Sequence, residues 1–133
     1  MLNFDALQNF LQVRPSLGAA GHQDDLVISP MRFPGSTDHV RVYVRPLGGG
    51  RLLVHDAGEA AQHAGAVDAL MQTPVWEQVR ADWIDREVSL DEENRLFTVA
   101  HSSESLPDAV ARLFEAELRL VALGRFLSGL AED

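Results

Sequence analysis

Polar and apolar positions alternate most cleanly between Val40 and Arg45. Val40, Val42 and Val44 fall on one side, and Arg41, Tyr43 and Arg45 on the other. Successive strand side chains point to opposite faces, so the pattern predicts a half-buried strand. Gly48-Gly49-Gly50 follows, a turn in which positive-φ positions cost glycine little, and Arg51 to His55 returns antiparallel. Asp56-Ala57-Gly58-Glu59 then leads into a short helix over 59–64, ended near Gly65, with Asp56 placed to cap its amides. Upstream, Asp24 to Pro30 reads as a strand whose proline sets its end or an edge position. Phe4, Leu7 and Leu11 recur at helical spacing with Phe10 beside them. With Asn3 as N-cap they predict a helix over 4–14, stopped by Pro15 and the stretch from Gly18 to Gly21.

Downstream, Thr73-Pro74 is an N-cap with proline at the first helical position. It opens a helix to about Asp85 with Trp76, Val79 and Trp83 turned inward. Glu87 to Leu90 and Arg95 to Ala100 flank Asp91-Glu92-Glu93-Asn94 as a second hairpin. Ser105-Leu106-Pro107-Asp108 has the form of a capping box, with Asp in place of Glu, and starts a last helix to about Leu130. The first half of that helix has one apolar face, Val110, Leu113 and Phe114. Its second half is apolar nearly all round: Leu118, Leu120, Val121, Leu123, Phe126, Leu127 and Leu130. A helix of that kind is fully buried or shared with another chain, so a homodimer through the C-terminal helix is expected. The elements sum to a single α+β domain over 1–133. Its antiparallel sheet has about five strands (two hairpins plus one strand), with helices packed mainly on one face.

Composition narrows the chemistry. At 133 residues and 46 % apolar, the chain can bury a core without staples. No apolar run approaches the ~18 residues that span a bilayer, and the N-terminus lacks the features of a signal peptide. A cytoplasmic protein with no membrane partner is expected. There is no cysteine, and all eleven basic residues are arginine. Thiolate chemistry, a Walker A lysine and a Schiff-base lysine are excluded. The net charge of −9 argues against whole-surface nucleic-acid binding. The charge is uneven, however: from Leu26 to His55 four arginines face Asp38 alone, whereas from Asp56 to Glu117 fourteen acids face four arginines.

Two candidate sites lie on the central hairpin. Asp56 and Glu59, with His63 one helical turn beyond Glu59, are a candidate divalent-metal set, since carboxylate and imidazole ligands suit zinc or manganese. The structural alternative is that Asp56 caps the helix and Gly58 permits the sharp turn. Arg41, Tyr43, Arg45 and Arg51 share the outward strand face, where arginine beside an aromatic can grip phosphates, bases or an acidic partner. The alternative there is a solvated face with its arginines paired to nearby acids. The five histidines, His22, His39, His55, His63 and His101, show no HExxH spacing. Asp91-Glu92-Glu93 lacks the alternation of a calcium loop.

The order of these motifs also resembles a known family. Asp24-Asp-Leu-Val-Ile-Ser-Pro30, Asp38-His-Val-Arg-Val-Tyr-Val44, Leu53-Val-His-Asp-Ala-Gly58, Val88 to Leu96 and Leu106-Pro107 carry the likeness. It is to the bacterial, archaeal and phage domain-of-unknown-function family 1828, over roughly residues 4–127. That family's pattern has Thr-Pro where this chain has Ser29-Pro30, and paired aspartates where it has Asp56-Ala57. The resemblance implies a small stand-alone α+β fold and supplies no reaction. The function expected is that of a non-enzymatic interaction or regulatory domain, with no cofactor and a protein partner or a second copy. Two alternatives are carried. One is a metal-dependent hydrolase or nuclease using Asp56 and Glu59 with Asp24 or Asp25. The other, less favoured, is nucleic-acid or acidic-partner binding by the Arg41/Tyr43/Arg45 face.

Overall fold

The computed structural model describes residues 12–17, 23–65 and 67–132. Six strands, β1 (Gln12–Leu17), β2 (Gln23–Arg32), β3 (His39–Gly48), β4 (Arg51–His55), β5 (Ser89–Leu90) and β6 (Leu96–Ala100), form one antiparallel sheet in the order β1-β2-β3-β4-β6-β5. The helices are α1 (Glu59–Ala64), α2 (Val67–Met71), α3 (Pro74–Asp85) and α4 (Leu106–Glu132). The α+β class and the antiparallel sheet are as the alternation predicts.

The sixth strand is a correction. Residues 12–14 were expected to end a helix, but Gln12 to Leu17 pairs with β2 across its whole length. Val13, Pro15 and Leu17 alternate there with Gln12, Arg14 and Ser16, a period of two that overrides the helical spacing running up to Leu11. Pro15 is tolerated because, among the described residues, β1 is an edge strand with one neighbour. The expected helix over residues 4–11, its Asn3 cap and the glycines at 18 and 21 lie outside the described residues. Pro30 does not end β2. It sits in an irregularity of register between Ile28 and Arg32, beyond which pairing with β3 resumes at Arg32 and His39. Ser105 forms no capping box; its hydroxyl donates to the Ser102 carbonyl at 3.0 Å.

The inner faces of the strands meet the helices. Val27, Val40, Val42, Val44, Leu52, Val54 and Leu96 are buried against Leu106, Val110, Leu113, Leu120 and Val121 of α4. Burying each such side chain contributes ~1.5–3 kcal/mol. Trp76 and Trp83 of α3 join the same core, their rings edge to face at 5.5 Å. α1 and α2 pack on α4. The approach of α1 requires Gly124: a Cβ there would stand 2.6 Å from the Ala64 Cβ and 2.8 Å from its carbonyl oxygen.

The other face of the sheet is different in kind. Leu26, Ile28, Leu53, Phe97 and Val99 lie on it with Arg41, Tyr43 and Arg45. All are half-buried, and none of the apolar five belongs to the core of the described residues or packs against it. Among the described residues, no helix is long and apolar enough to cross a membrane.

Candidate functional site

Strand register decides which side chains meet at the central hairpin. Tyr43 lies opposite Leu26 on one side and His55 on the other, and Arg45 lies opposite Leu53. That places Asp24, one strand over, under Arg45. Arg45 donates from Nε to Asp24 Oδ1 at 2.7 Å and from Nη2 to Oδ2 at 3.1 Å. His55 donates from Nε2 to the same Oδ2 at 2.9 Å and accepts the Ala57 amide at Nδ1, 3.1 Å. These two bonds require the neutral Nε2–H tautomer. Asp24 is fully buried. Burial pushes its carboxyl up, but the hydrogen bonds from Arg45 and His55 and the charge of Arg45 outweigh it and hold the group below its ordinary range.

A second network sits beside the first. Glu59 accepts Arg41 Nε and the Tyr43 hydroxyl, each at 2.7 Å, one on each carboxylate oxygen. Burial, and then the bond to Glu59, push the Tyr43 hydroxyl up to about 12. The Tyr43 and His55 rings stack at 5.4 Å and 19°, which joins the two networks. Of the four residues expected on the outward face, Arg41 and Arg45 are thus held by carboxylates and Tyr43 by Glu59. Arg51 is exposed at the hairpin turn, apart from the other three.

The strand-to-helix corner is built by Asp56. Its Oδ1 accepts the amides of Gly58 (2.8 Å) and Leu96 (2.9 Å), and its Oδ2 that of Ala60 (3.0 Å). One carboxylate therefore caps α1 and ties the corner to β6. The backbone there needs two left-handed residues, Ala57 at φ 56° and Gly58 at φ 80°. Burial pushes the Asp56 carboxyl up despite the three amides. His63 bonds the Glu59 carbonyl through Nδ1 (2.8 Å) and Asp38 through Nε2 (3.1 Å), with its ring stacked on Phe33. Asp56, Glu59 and His63 each face different partners, and no group of three or more His, Asp or Glu is arranged to hold a metal among the described residues.

Beneath this corner lies a residue that sequence reasoning passed over. Glu117 of α4 is fully buried, and among the described residues neither of its carboxylate oxygens has a hydrogen-bond partner. Burial, and then the negative charge of Asp56 and Glu59, push its carboxyl well above the ordinary 4.5, with Arg41 a partial offset. The signal was present: Leu113, Phe114, Glu117, Leu120 and Val121 share one helical stripe, and an acid interrupts it.

On the outward side the corner and the turn between β5 and β6 border an open cleft of about 840 Å³. Its floor is Leu53, His55 and Phe97, and its walls carry Arg45, Gln62, Asn94 and Arg95. Asp91 shapes the turn by accepting the Glu93 and Arg95 amides at Oδ1, both 2.9 Å, and Arg95 Nε at Oδ2, 2.7 Å. Burial raises its carboxyl, but these bonds from Arg95 and Glu93 bring it below the ordinary range. Arg95 Nη1 also reaches Glu93 at 3.3 Å. Comparison of the chain with protein-family models, with curated proteins and with solved structures finds no match.

Proposed function

We propose that the protein is a non-enzymatic interaction domain that acts as a homodimer. The observation that carries this reading is the outer sheet face. Leu26, Ile28, Leu53, Phe97 and Val99 form an apolar set outside the core, on a face where a two-layer α+β domain presents polar side chains to water. α4 supports the same reading. Its apolar girdle is largely absorbed by the fold, Leu120 and Val121 fully and Leu118, Leu123 and Leu127 in part, but Phe126 remains 64 % exposed. The acid–base groups of the hairpin favour binding over catalysis, because Asp24, Asp56 and Glu59 are already engaged by internal donors. The same engagement weakens the case for a metal-dependent hydrolase at Asp56 and Glu59, and for nucleic-acid binding by Arg41 and Arg45. The likeness to family 1828 adds no reaction.

Light scattering across a dilution series tests the proposal. A dimer at micromolar concentration is expected, and Phe126→Glu or Val99→Asp, whichever lies in the interface, should yield a monomer. Both positions are outside the core, so unfolding midpoints should move little. A monomeric unchanged protein at micromolar concentration refutes self-association.

A further inference from the structure

We infer that α1 is a proton-gated flap: it opens from α4 with release of the proton on Glu117, and its opening frees Arg41 and Tyr43 on the outward face. The inference goes beyond self-association and does not depend on it. Three observations carry it.

The first is the place of the proton. Glu117 is fully buried under the strand-to-helix corner, and among the described residues neither of its oxygens accepts a hydrogen bond. A carboxylate there would have lost water and gained no donor, so the closed domain holds the neutral acid. The surroundings act in the same direction. One turn away on α4 its neighbours are Leu113, Phe114, Leu120 and Val121, all buried. The corner presents the carboxylates of Asp56 and Glu59, and β3 presents Arg41 and Tyr43. β6 turns Leu96, Thr98 and Ala100 inward, none of them charged, and Asp68 of α2 is exposed. Burial, and then Asp56 and Glu59, push the Glu117 carboxyl up; Arg41 offsets part of this but is already bonded to Glu59.

The second is how lightly α1 is held. It has six residues, of which Ala60 and Ala64 are buried, and such small side chains remove little apolar surface from water. Its close approach to α4 sets Ala64 against Gly124, where no second side chain interlocks. Its other tethers are polar: Asp56 to the amides of Gly58 and Ala60, Glu59 to Arg41 and Tyr43, and His63 to Asp38. Ala57, at φ 56°, holds a left-handed backbone that an alanine adopts at a cost, and opening relaxes it. Elements with few buried apolar contacts open at the low end of local stability.

The third is that the proton and the flap share one corner. Asp56, which caps α1, and Glu59, which ties it to β3, are the carboxylates that face Glu117. When the corner lifts, water reaches Glu117 and its acid proton passes to solvent. The carboxylate left behind opposes the return of Asp56 and Glu59. Opening therefore releases one proton. Rising pH favours the open form by up to about tenfold per unit above the ordinary 4.5. The same motion parts Glu59 from Arg41 and Tyr43 and draws Ala61 and Gln62 away from the cleft wall. The guanidinium and the phenol that the closed domain keeps engaged are then presented on the outward face.

Amide hydrogen exchange between pH 5 and 8 tests this in the unchanged protein and in Glu117→Gln, with Glu117→Leu as a second reference that also lacks the proton. The amides of Ala60, Gln62 and Gly65, bonded within the corner and α1, report the flap, and those of β3 and β4 report the whole fold. Protection factors are compared, which removes the pH dependence of chemical exchange itself. In the unchanged protein the flap amides should be less protected than those of β3 and β4. Their protection relative to either variant should fall by up to about tenfold per pH unit. A ratio that stays constant over the range overturns the inference. So does equal protection of α1, β3 and β4, because α1 would then open only with the whole fold. Tyr43 is the chain's single tyrosine, so its nitration by tetranitromethane reads its release from Glu59. The nitration rate relative to Glu117→Gln should rise with pH, and a constant ratio also overturns the inference. Light scattering on the same samples separates the two proposals: a monomer with a pH-dependent flap sinks the dimer alone, and a dimer without one sinks the flap alone.

Discussion

Glu117→Gln keeps the shape of a buried side chain and removes its ability to ionise. In the folded protein Glu117 has no hydrogen-bond partner among the described residues and lies under the negative charges of Asp56 and Glu59. It therefore holds its proton to a higher pH than in the unfolded chain, where the ordinary value is 4.5. Below that value both states are protonated and the group has no influence on the pH dependence. Above it the unfolded chain releases a proton that the folded chain retains, so stability falls as pH rises, until the folded-state value is passed. The slope can reach ~1.4 kcal/mol per pH unit. The glutamine variant has no such proton. Its stability relative to the unchanged protein should be near zero at pH 4 and should grow by up to ~1.4 kcal/mol for each pH unit above 4.5. Contributions from Asp24, Asp56 and Asp91 are common to both proteins and largely cancel in the difference. Guanidinium unfolding at several pH values between 4 and 8, followed by the fluorescence of the buried Trp76 and Trp83, measures it. A difference that stays constant over that range refutes the reasoning. Glu117→Leu also removes the unpaired polar group, and should add a pH-independent gain of ~1–3 kcal/mol that is already present at pH 4.

Other substitutions test other joints of the structure. Asp56→Ala leaves three amides without their acceptor and should cost at least ~3 kcal/mol in denaturant unfolding; a loss below ~1 kcal/mol would show that water satisfies the corner equally well. Asp24, with its carboxyl held low, contributes stability above pH 3.8 that is lost as pH falls toward its folded-state value. Asp24→Asn should therefore flatten the acid limb of the stability profile. It should also cost ~2 kcal/mol at pH 7, less than the loss from breaking a fully buried pair because Arg45 is 26 % exposed. Gly124→Ala should destabilise by ~1–3 kcal/mol, since the new methyl meets Ala64. Gly129→Ala on the same helix faces open space and should stabilise by up to ~1 kcal/mol; equal effects at the two positions, read from melting curves, would remove the packing explanation.

The sheet-and-helix plan is visible wherever one period dominates. Val40 to Arg45, the three-glycine turn, Thr73-Pro74 and the stripe of Trp76, Val79 and Trp83 each combine one period with one punctuation signal, and each adopts the expected element. β1 escapes because two periods overlap: the helical spacing of Phe4, Leu7 and Leu11 runs directly into the strand alternation of Val13, Pro15 and Leu17. α2 escapes because five residues are too few to show a stripe. The corner's architectural role is readable from Asp56 and Gly58, since a carboxylate before a helix and a glycine at a sharp bend have local consequences. The pairing of Asp24 with Arg45 and His55 is not readable. It joins residues 21 and 31 positions apart in sequence, and depends on a β2–β3 register set by an irregularity at Pro30.

Three acids around one hairpin end show why residue type alone does not locate function. Asp24 is engaged by cationic and imidazole donors, and those bonds favour its charged form. Asp56 is engaged by backbone amides, which soften but do not overcome the effect of burial. Glu117 accepts no hydrogen bond among the described residues, and burial outweighs the partial offset from Arg41. Binding needs groups that keep unused capacity and can also reach a partner. Asp24 and Asp56 have reach into the surrounding networks but no free capacity, and Glu117 has capacity but no access. Arg45 and Arg95 line the outward cleft, and both are fixed by carboxylates, Arg45 by Asp24 and Arg95 by Asp91 and Glu93. The acids of the hairpin are therefore the frame that fixes the arginines beside them.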